Sequence, residues 1–278
     1  MPRFALFLFA VLTAVAPIAR GHAVAGAAQA ALTPEARDYF DRLDTAGSGP
    51  GPNAAPISHL VAGLRARGLW DKLKAACLLA GPDSLSGALV PLRADMPTPT
   101  NFNFVAGDYS RATGLKGDGV SKYLLLGISG IALAQNSAHV SAYVTEAHPA
   151  GAAGCYIGNS QLVPQPGAIG IVRSGVTPTN MVTQIHGDLV VRAGAGTATG
   201  LLGLARAAAD GYAIRLGPYV ATVTDASSPP LARDITCYRL YAEESGYCAG
   251  RQAWVSAGTA LNLAQLDALL TTYVGSLQ

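Results

Sequence analysis

The sequence is poor in charge. Only 13% of its 278 residues are Asp, Glu, Lys or Arg, and glutamate occurs just four times, at 35, 146, 243 and 244. Long coiled coils and acidic disordered tails need far more charge, so neither describes this chain. Basic runs are missing as well. Setting aside Arg3 and Arg20 near the N-terminus, 19 Lys and Arg become 17, against 17 Asp and Glu. A neutral chain without a basic stripe has no counterion-release footprint, so nucleic acid is not an expected partner. The four cysteines form no C-x-x-C pair, and no histidine is spaced to complete a zinc site. Beyond residue 30 no apolar run approaches the roughly 18 residues of a membrane span.

What is abundant points to short elements. Half the residues are apolar, and 32 glycines and 17 prolines punctuate them, which disfavours a mostly helical architecture. A chain of this length buries about 75% of the surface its unfolded form exposes, enough for a self-sufficient core.

The first thirty residues read as a signal peptide. Met1-Pro2-Arg3 precedes an apolar stretch from Phe4 to Ile18 and a small-residue zone ending in Ala28-Gln29-Ala30. A translocon binds such a short apolar helix, and a signal peptidase accepts only small side chains; Ala23-Val24-Ala25 and Ala28-Gln29-Ala30 both qualify. An uncleaved anchor would need about 20 apolar residues, whereas Arg20 and His22 interrupt this run. The chain is therefore expected to be secreted, periplasmic or in the cell envelope, with no membrane span after cleavage. In such compartments Cys237 and Cys248, which flank a hairpin-like pair of segments, are the disulfide candidate. Four reduced, buried thiols at 77, 155, 237 and 248 are the equal alternative, with Cys77 as a small core hydrophobe.

Thr33-Pro34-Glu35 has the N-cap, N1 proline and first-turn acid of a helix over 33–47. Gly47 to Ala55 reads as a flexible connection. Ile57, Leu60, Val61 and Leu64 recur at helical spacing and predict a second helix, ended by Gly68. Leu69, Trp70, Leu73 and Cys77 predict a third, stopped by Gly81-Pro82. With a last turn over 84–89, these make a helical preface over residues 31–97.

From Asn101 the pattern becomes β-like. Candidate strands are 101–107, 120–126, 138–145, 154–158, 168–173, 181–191, 199–206, 211–216, 218–224, 234–241 and 251–257. Val140, Ala142 and Val144 alternate with Ser141, Tyr143 and Thr145, as in a strand with one wet face. Such spacing without intervening helices predicts an antiparallel β-sandwich over 98–278. A terminal helix closes it, with Leu266, Leu269, Leu270 and Tyr273 on one face and Asn262 and Gln265 as N-cap and N3.

Several of these segments, in this order, resemble a family of uncharacterised phage- and prophage-associated proteins. The run Gly68-Leu69-Trp70-Asp71-Lys72-Leu73 looks like a helix of that family, and Gly114-Leu115-Lys116-Gly117-Asp118-Gly119-Val120-Ser121-Lys122-Tyr123-Leu124 is the most specific stretch. Thr100 to Tyr109, Gly200 to Arg206 and Arg251 to Leu261 add to it, so the similarity spans roughly residues 60–277. It implies a concanavalin A-like, or laminin-G-like, jelly roll. An export signal departs from what a virion protein needs, and favours a secreted or envelope copy.

The residues for catalysis are thinly supplied. A glycosidase of this fold needs two carboxylates about 5–10 Å apart. No candidate strand carries acids at i and i+2, and adjacent Glu243 and Glu244 would point to opposite faces. Asp108 with Asp188 is the pair that folding would have to assemble. Gly127-Ile128-Ser129-Gly130-Ile131 misses the last glycine of a nucleophile elbow. The five histidines are scattered, and His139 and His186 read as hydrogen-bonded sheet residues. Gly194 to Gly200 lacks the spacing and the following helix of a dinucleotide loop. Trp70 and Trp254 read as core.

The expectation is therefore a non-enzymatic, lectin-like domain with no catalytic residue, binding a glycan or a surface assembly. A glycoside hydrolase or lyase of the same fold is the alternative, and a structural virion or tail component without ligand is the third reading. Exposed tyrosines at strand ends could serve as sugar platforms, and Tyr109, Tyr156, Tyr212 and Tyr219 are the candidates. No cofactor is expected; Asp118, in its Gly-Asp-Gly turn, is the single candidate ligand should calcium bind.

Overall fold

The computed structural model describes residues 32–160, 165–177, 179–196, 198–240 and 246–278. The expected signal peptide over 1–30 lies outside them. Thr33 caps the first helix, α1 (Pro34–Thr45), by accepting the Ala36 N–H on its Oγ1. The second, α2 (Ala54–Ala66), buries Ile57, Leu60, Val61 and Leu64 as their spacing predicts. The Gly/Pro-rich link between the two is fixed rather than loose. Its Asn53 is fully buried, donates Nδ2 to the Gly81 carbonyl at 2.9 Å and accepts the Gln278 N–H at 3.0 Å.

The segment expected as a third helix is a strand, β1 (Leu73–Leu78), pairing antiparallel with the last strand, Arg251–Gly258. Both faces of β1 are buried. Its apolar residues therefore run almost continuously, and their spacing mimics a helix. After the short helix α3 (Leu85–Ala88), capped by Ser84, come β2 (Thr100–Phe102), β3 (Tyr109–Ser110), β4 (Gly114–Lys116), β5 (Tyr123–Ser129), β6 (Ala138–Glu146) and β7 (Gly154–Gly158). The chain continues through β8 (Ile169–Arg173), β9 (Met181–Ile185), β10 (Val190–Arg192), β11 (Gly200–Arg206), β12 (Gly211–Leu216), β13 (Tyr219–Thr224), β14 (Asp234–Cys237) and β15 (Arg251–Gly258) to the closing helix α4 (Leu263–Gly275). Asn262 caps α4, accepting the Ala264 and Gln265 N–H groups on its Oδ1.

The strands form two antiparallel sheets. One runs β13-β12-β11-β6-β15-β4-β3, with β1 added along β15; the other runs β10-β9-β8-β7-β14-β5-β2. Their inner faces meet over one core that includes Leu124, Leu126, Val140, Tyr156, Ile171, Leu204, Ile214 and Val255. A second core lies behind the eight-stranded sheet, where α1, α2 and α4 pack on Trp254, Tyr143 and Leu201. The protein is thus the mostly β antiparallel sandwich expected, with its few helices as a third layer.

That layer corrects one reading. The face of β6 carrying Ser141 and Tyr143 is dry, since α4 lies over it and the Tyr143 hydroxyl reaches Thr271 Oγ1 at 3.3 Å. Trp70 and Trp254 are core residues, 6% and 0% exposed. Among the described residues no helix is long and apolar enough to cross a membrane.

Candidate functional site

The four candidate tyrosines do not come together. Tyr156 and Tyr212 point into the sandwich core rather than out of it. Tyr156 is wholly buried and its hydroxyl accepts the His148 N–H at 2.9 Å. Tyr212 shares the inward face of β12 with Ile214 and Leu216, under the Arg206 guanidinium at 5.2 Å. Period-two alternation along β12 turns Tyr212 inward, and an irregularity in β7 between Cys155 and Ile157 lets Tyr156 and Ile157 both enter the core, so neither ring can be a platform. Tyr219 stands 36% exposed on the edge strand β13, and Tyr109 lies on β3, at the opposite edge of the same sheet.

Of the four, Tyr109 lines a cavity. A groove of about 500 Å³ opens beside it, walled by Asp83, Ser84, Leu85, Ser110 and Arg111. Two turns bring these residues together. Gly81, at φ +106°, sends its N–H to the Arg111 carbonyl at 2.8 Å, tying the approach to α3 against the β3–β4 hairpin. The Tyr109 hydroxyl donates to the Pro82 carbonyl, which fixes the ring. Burial raises the pKa of that phenol, so it stays a neutral donor. Arg111 Nη1 meets Asp83 Oδ1 at 3.0 Å, and its Nε donates to the Gln278 carbonyl at 3.1 Å. Both side chains of the ion pair keep solvent-facing atoms. The Ser84 and Ser86 hydroxyls lie 2.9 Å apart at the start of α3. The groove therefore presents one aromatic wall, a carboxylate, a guanidinium and hydroxyls to the same space, the mixture that holds a polyol.

Asp118 is otherwise engaged. Its Oδ1 accepts the N–H groups of Val120, Ser121 and Lys122, and its Oδ2 accepts the Ser121 hydroxyl at 2.8 Å. Partial desolvation would raise its pKa, but these four donors outweigh it and hold the carboxyl well below the usual range. It organises its own loop. Among the described residues no group of three His, Cys, Asp or Glu is placed to hold a metal.

The disulfide between Cys237 and Cys248 is not formed. All four cysteines are free, buried thiols. Burial pushes Cys77 and Cys248 up to about 12 and raises Cys155 and Cys237 too, so none is a nucleophile. The Asp108–Asp188 pair does not assemble either. Asp108 binds Lys122 Nζ at 2.6 Å beside β3, while Asp188 sits in the β9–β10 turn at the far edge of the sandwich.

One aromatic cluster escaped the sequence reading. Phe102 and Tyr123 stack at 4.2 Å and 4°, the Arg239 guanidinium lies 3.7 Å over the Tyr123 ring, and Tyr247 tilts against it at 6.4 Å. Phe102 and Tyr123 are register partners on β2 and β5. With both faces of Tyr123 occupied, the stack is packing on the outer side of the seven-stranded sheet rather than an open platform.

No protein-family model matches this sequence, and no curated protein matches it. Among solved structures, the receptor binding domain of botulinum neurotoxin C/D mosaic serotype aligns with a TM-score of 0.50 at 8% identity, over 74% of this chain and 52% of that one. A Trypanosoma rangeli sialidase aligns with a TM-score of 0.48 at 12% identity, over 72% of this chain and 33% of that one. The chain thus spans about half the toxin domain and a third of the sialidase. At these identities the likeness concerns the fold alone.

Proposed function

We propose that this chain is a non-enzymatic, glycan-binding β-sandwich and that the groove beside Tyr109 holds the sugar. The observation that carries the reading is the convergence of a fixed aromatic ring, the Asp83–Arg111 pair and serine hydroxyls on one groove of about 500 Å³. A pyranose offers an apolar face to such a ring and hydroxyls that alternate as donors and acceptors, which carboxylate and guanidinium match in turn. The fold likeness to a toxin's receptor binding domain is in keeping with a binding role. So is the separation of Asp108 from Asp188, which leaves that pair unable to act on one glycosidic bond. Export to the cell surface or beyond belongs to the same reading, because extracellular glycans would then be the accessible ligands.

A glycan array with the purified chain, followed by a reducing-end assay on each hit, tests it. Binding without sugar release, abolished in Tyr109→Ala and weakened at least tenfold in Arg111→Ala, is the expected result. Release of reducing ends would replace the lectin with a hydrolase. Silence across the array would leave a structural role.

A further inference from the structure

Both sheets are open, and their edges are treated very differently. β10 and β2 have three residues each and β3 has two. Arg192 lies on β10, Pro97 and Pro99 precede β2, and Arg111 follows β3. The outer side of β1 is covered by Pro91 and Leu92, the latter donating its N–H to the Ala76 carbonyl at 2.8 Å. Short length, charge, proline and a covering segment are the standard protections of a sheet edge. Of these β13 has only a flanking proline, Pro218 in the turn that joins it to β12; the strand itself is neither short nor charged. It pairs with β12 over all six residues without a bulge, and among the described residues no strand lies on its other side.

Its sequence, Tyr219-Val220-Ala221-Thr222-Val223-Thr224, contains no charge, no proline and no glycine. Val220 is 63% exposed. The acid that follows, Asp225, is turned inward onto Arg206 Nη2 at 2.6 Å, so it does not repel an approaching strand.

We propose that β13 pairs antiparallel with β13 of a second copy of this chain, joining the two eight-stranded sheets into one across a twofold axis. An uncharged strand meets no like charge in its own image, which makes a second copy the occupant that fits best. Keeping core-facing residues on one side requires residues of equal parity to oppose each other. With the axis through Ala221, Tyr219 faces Val223 of the second copy and Val220 faces its Thr222, both favourable β-branched or aromatic pairs. The groove at Tyr109 lies at the opposite edge of the sheet and stays open, so the dimer is bivalent whatever it binds.

Light scattering after size exclusion on the purified chain tests this directly. A particle of twice the chain mass is expected, reduced to a monomer in the double variant Val220→Lys, Thr222→Lys, which places lysines opposite lysines on exposed positions. Its circular dichroism and melting should match those of the parent. As a second arm, Ala221→Cys should form an intermolecular disulfide under mild oxidation. A monomeric parent chain overturns the proposal. So does a dimer that survives the lysine pair and leaves Cys at 221 uncrosslinked.

Discussion

The Nε2 of His139 stands 3.0 Å from the Oγ of Ser256, and neither residue has any exposed surface. Ser256 Oγ lies 2.8 Å from Ser141 Oγ, which accepts the Trp254 indole N–H at 3.1 Å. His139 Nδ1 sits 2.7 Å from the Thr259 carbonyl, so it carries the proton and Nε2 must accept. Every proton then has one acceptor: Trp254 to Ser141, Ser141 to Ser256, Ser256 to His139. A histidine beside a serine suggests a base and a nucleophile. Here both are sealed beneath the helices, and the pair instead satisfies polar groups that the third layer buries.

Acid should weaken the fold through this histidine. Burial, partly offset by the Thr259 and Gly258 carbonyls, lowers His139 to about 4, while in the unfolded chain it titrates near its ordinary value. Between those values the unfolded state binds more protons. The stabilisation is therefore complete above about pH 6.5 and is lost as pH falls towards 4, on the order of 3 kcal/mol for this group. Burial lowers His148 and His186 too, and adds to the same slope. Urea unfolding at pH 7.5 and 5.5 measures it, and His139→Gln should flatten part of the difference. Equal stability at both pH values would contradict the network.

Arg206 is a fully buried charge. It donates Nε to the Ile185 carbonyl at 2.8 Å, Nη1 to the Asp225 carbonyl at 2.9 Å and Nη2 to the Asp225 carboxylate. Arg206→Met strands Asp225 beside the core and should cost about 3–5 kcal/mol. Adding Asp225→Leu should recover part of that loss. Chemical denaturation of Arg206→Met, Asp225→Leu and the double variant checks it, and a double variant as unstable as the sum of the two singles would refute the pairing.

Asp118→Ala removes four hydrogen bonds to one carboxylate and should cost about 1 kcal/mol or somewhat more. Calcium should not matter. Melting curves with excess calcium and with EDTA are expected to coincide, whereas a calcium-dependent rise that Asp118→Ala abolishes would restore the residue as a ligand.

The thiols give a simple count. In the native protein none of the four should react promptly with a disulfide reagent, because each is buried and its pKa is raised. Unfolding without any reductant should release all four. Release of only two would show that one disulfide exists, and peptide mapping would then decide whether it joins Cys237 to Cys248.

Much of the sandwich was legible because its strands alternate. Val140, Ala142 and Val144, the alternating set on β6, all line the core as their spacing indicates, and Leu124 and Leu126 of the expected strand over 120–126 join them. β1 was not legible, since a strand buried on both faces loses its period. His186, at φ +49°, splits one expected strand over 181–191 into β9 and β10; the Gly187-Asp188 pair beside it is the turn signal that marks the break. The groove was half visible. Tyr109 could be singled out as a tyrosine at a strand end, but Asp83 and Ser84 arrive from the helical preface, and long-range contacts from Gly81 and Asp83 to Arg111 and from Pro82 to Tyr109 set them beside it. Tyr123 was overlooked because its neighbours Phe102, Arg239 and Tyr247 come from three separate segments.

The order in which the chain is made sets when this sheet can close. β15 fills one slot between β6 on one side and, on the other, β4 at its start and β1 at its end. Those partners come from residues 73–78, 114–116 and 138–146, and all of them wait for residues 251–258. A chain interrupted before that point holds three strands with unsatisfied edges and two half-built cores. Completion is therefore a single late event, long in contact order and slow by that measure, with the interval before it as the period of greatest exposure to misassembly.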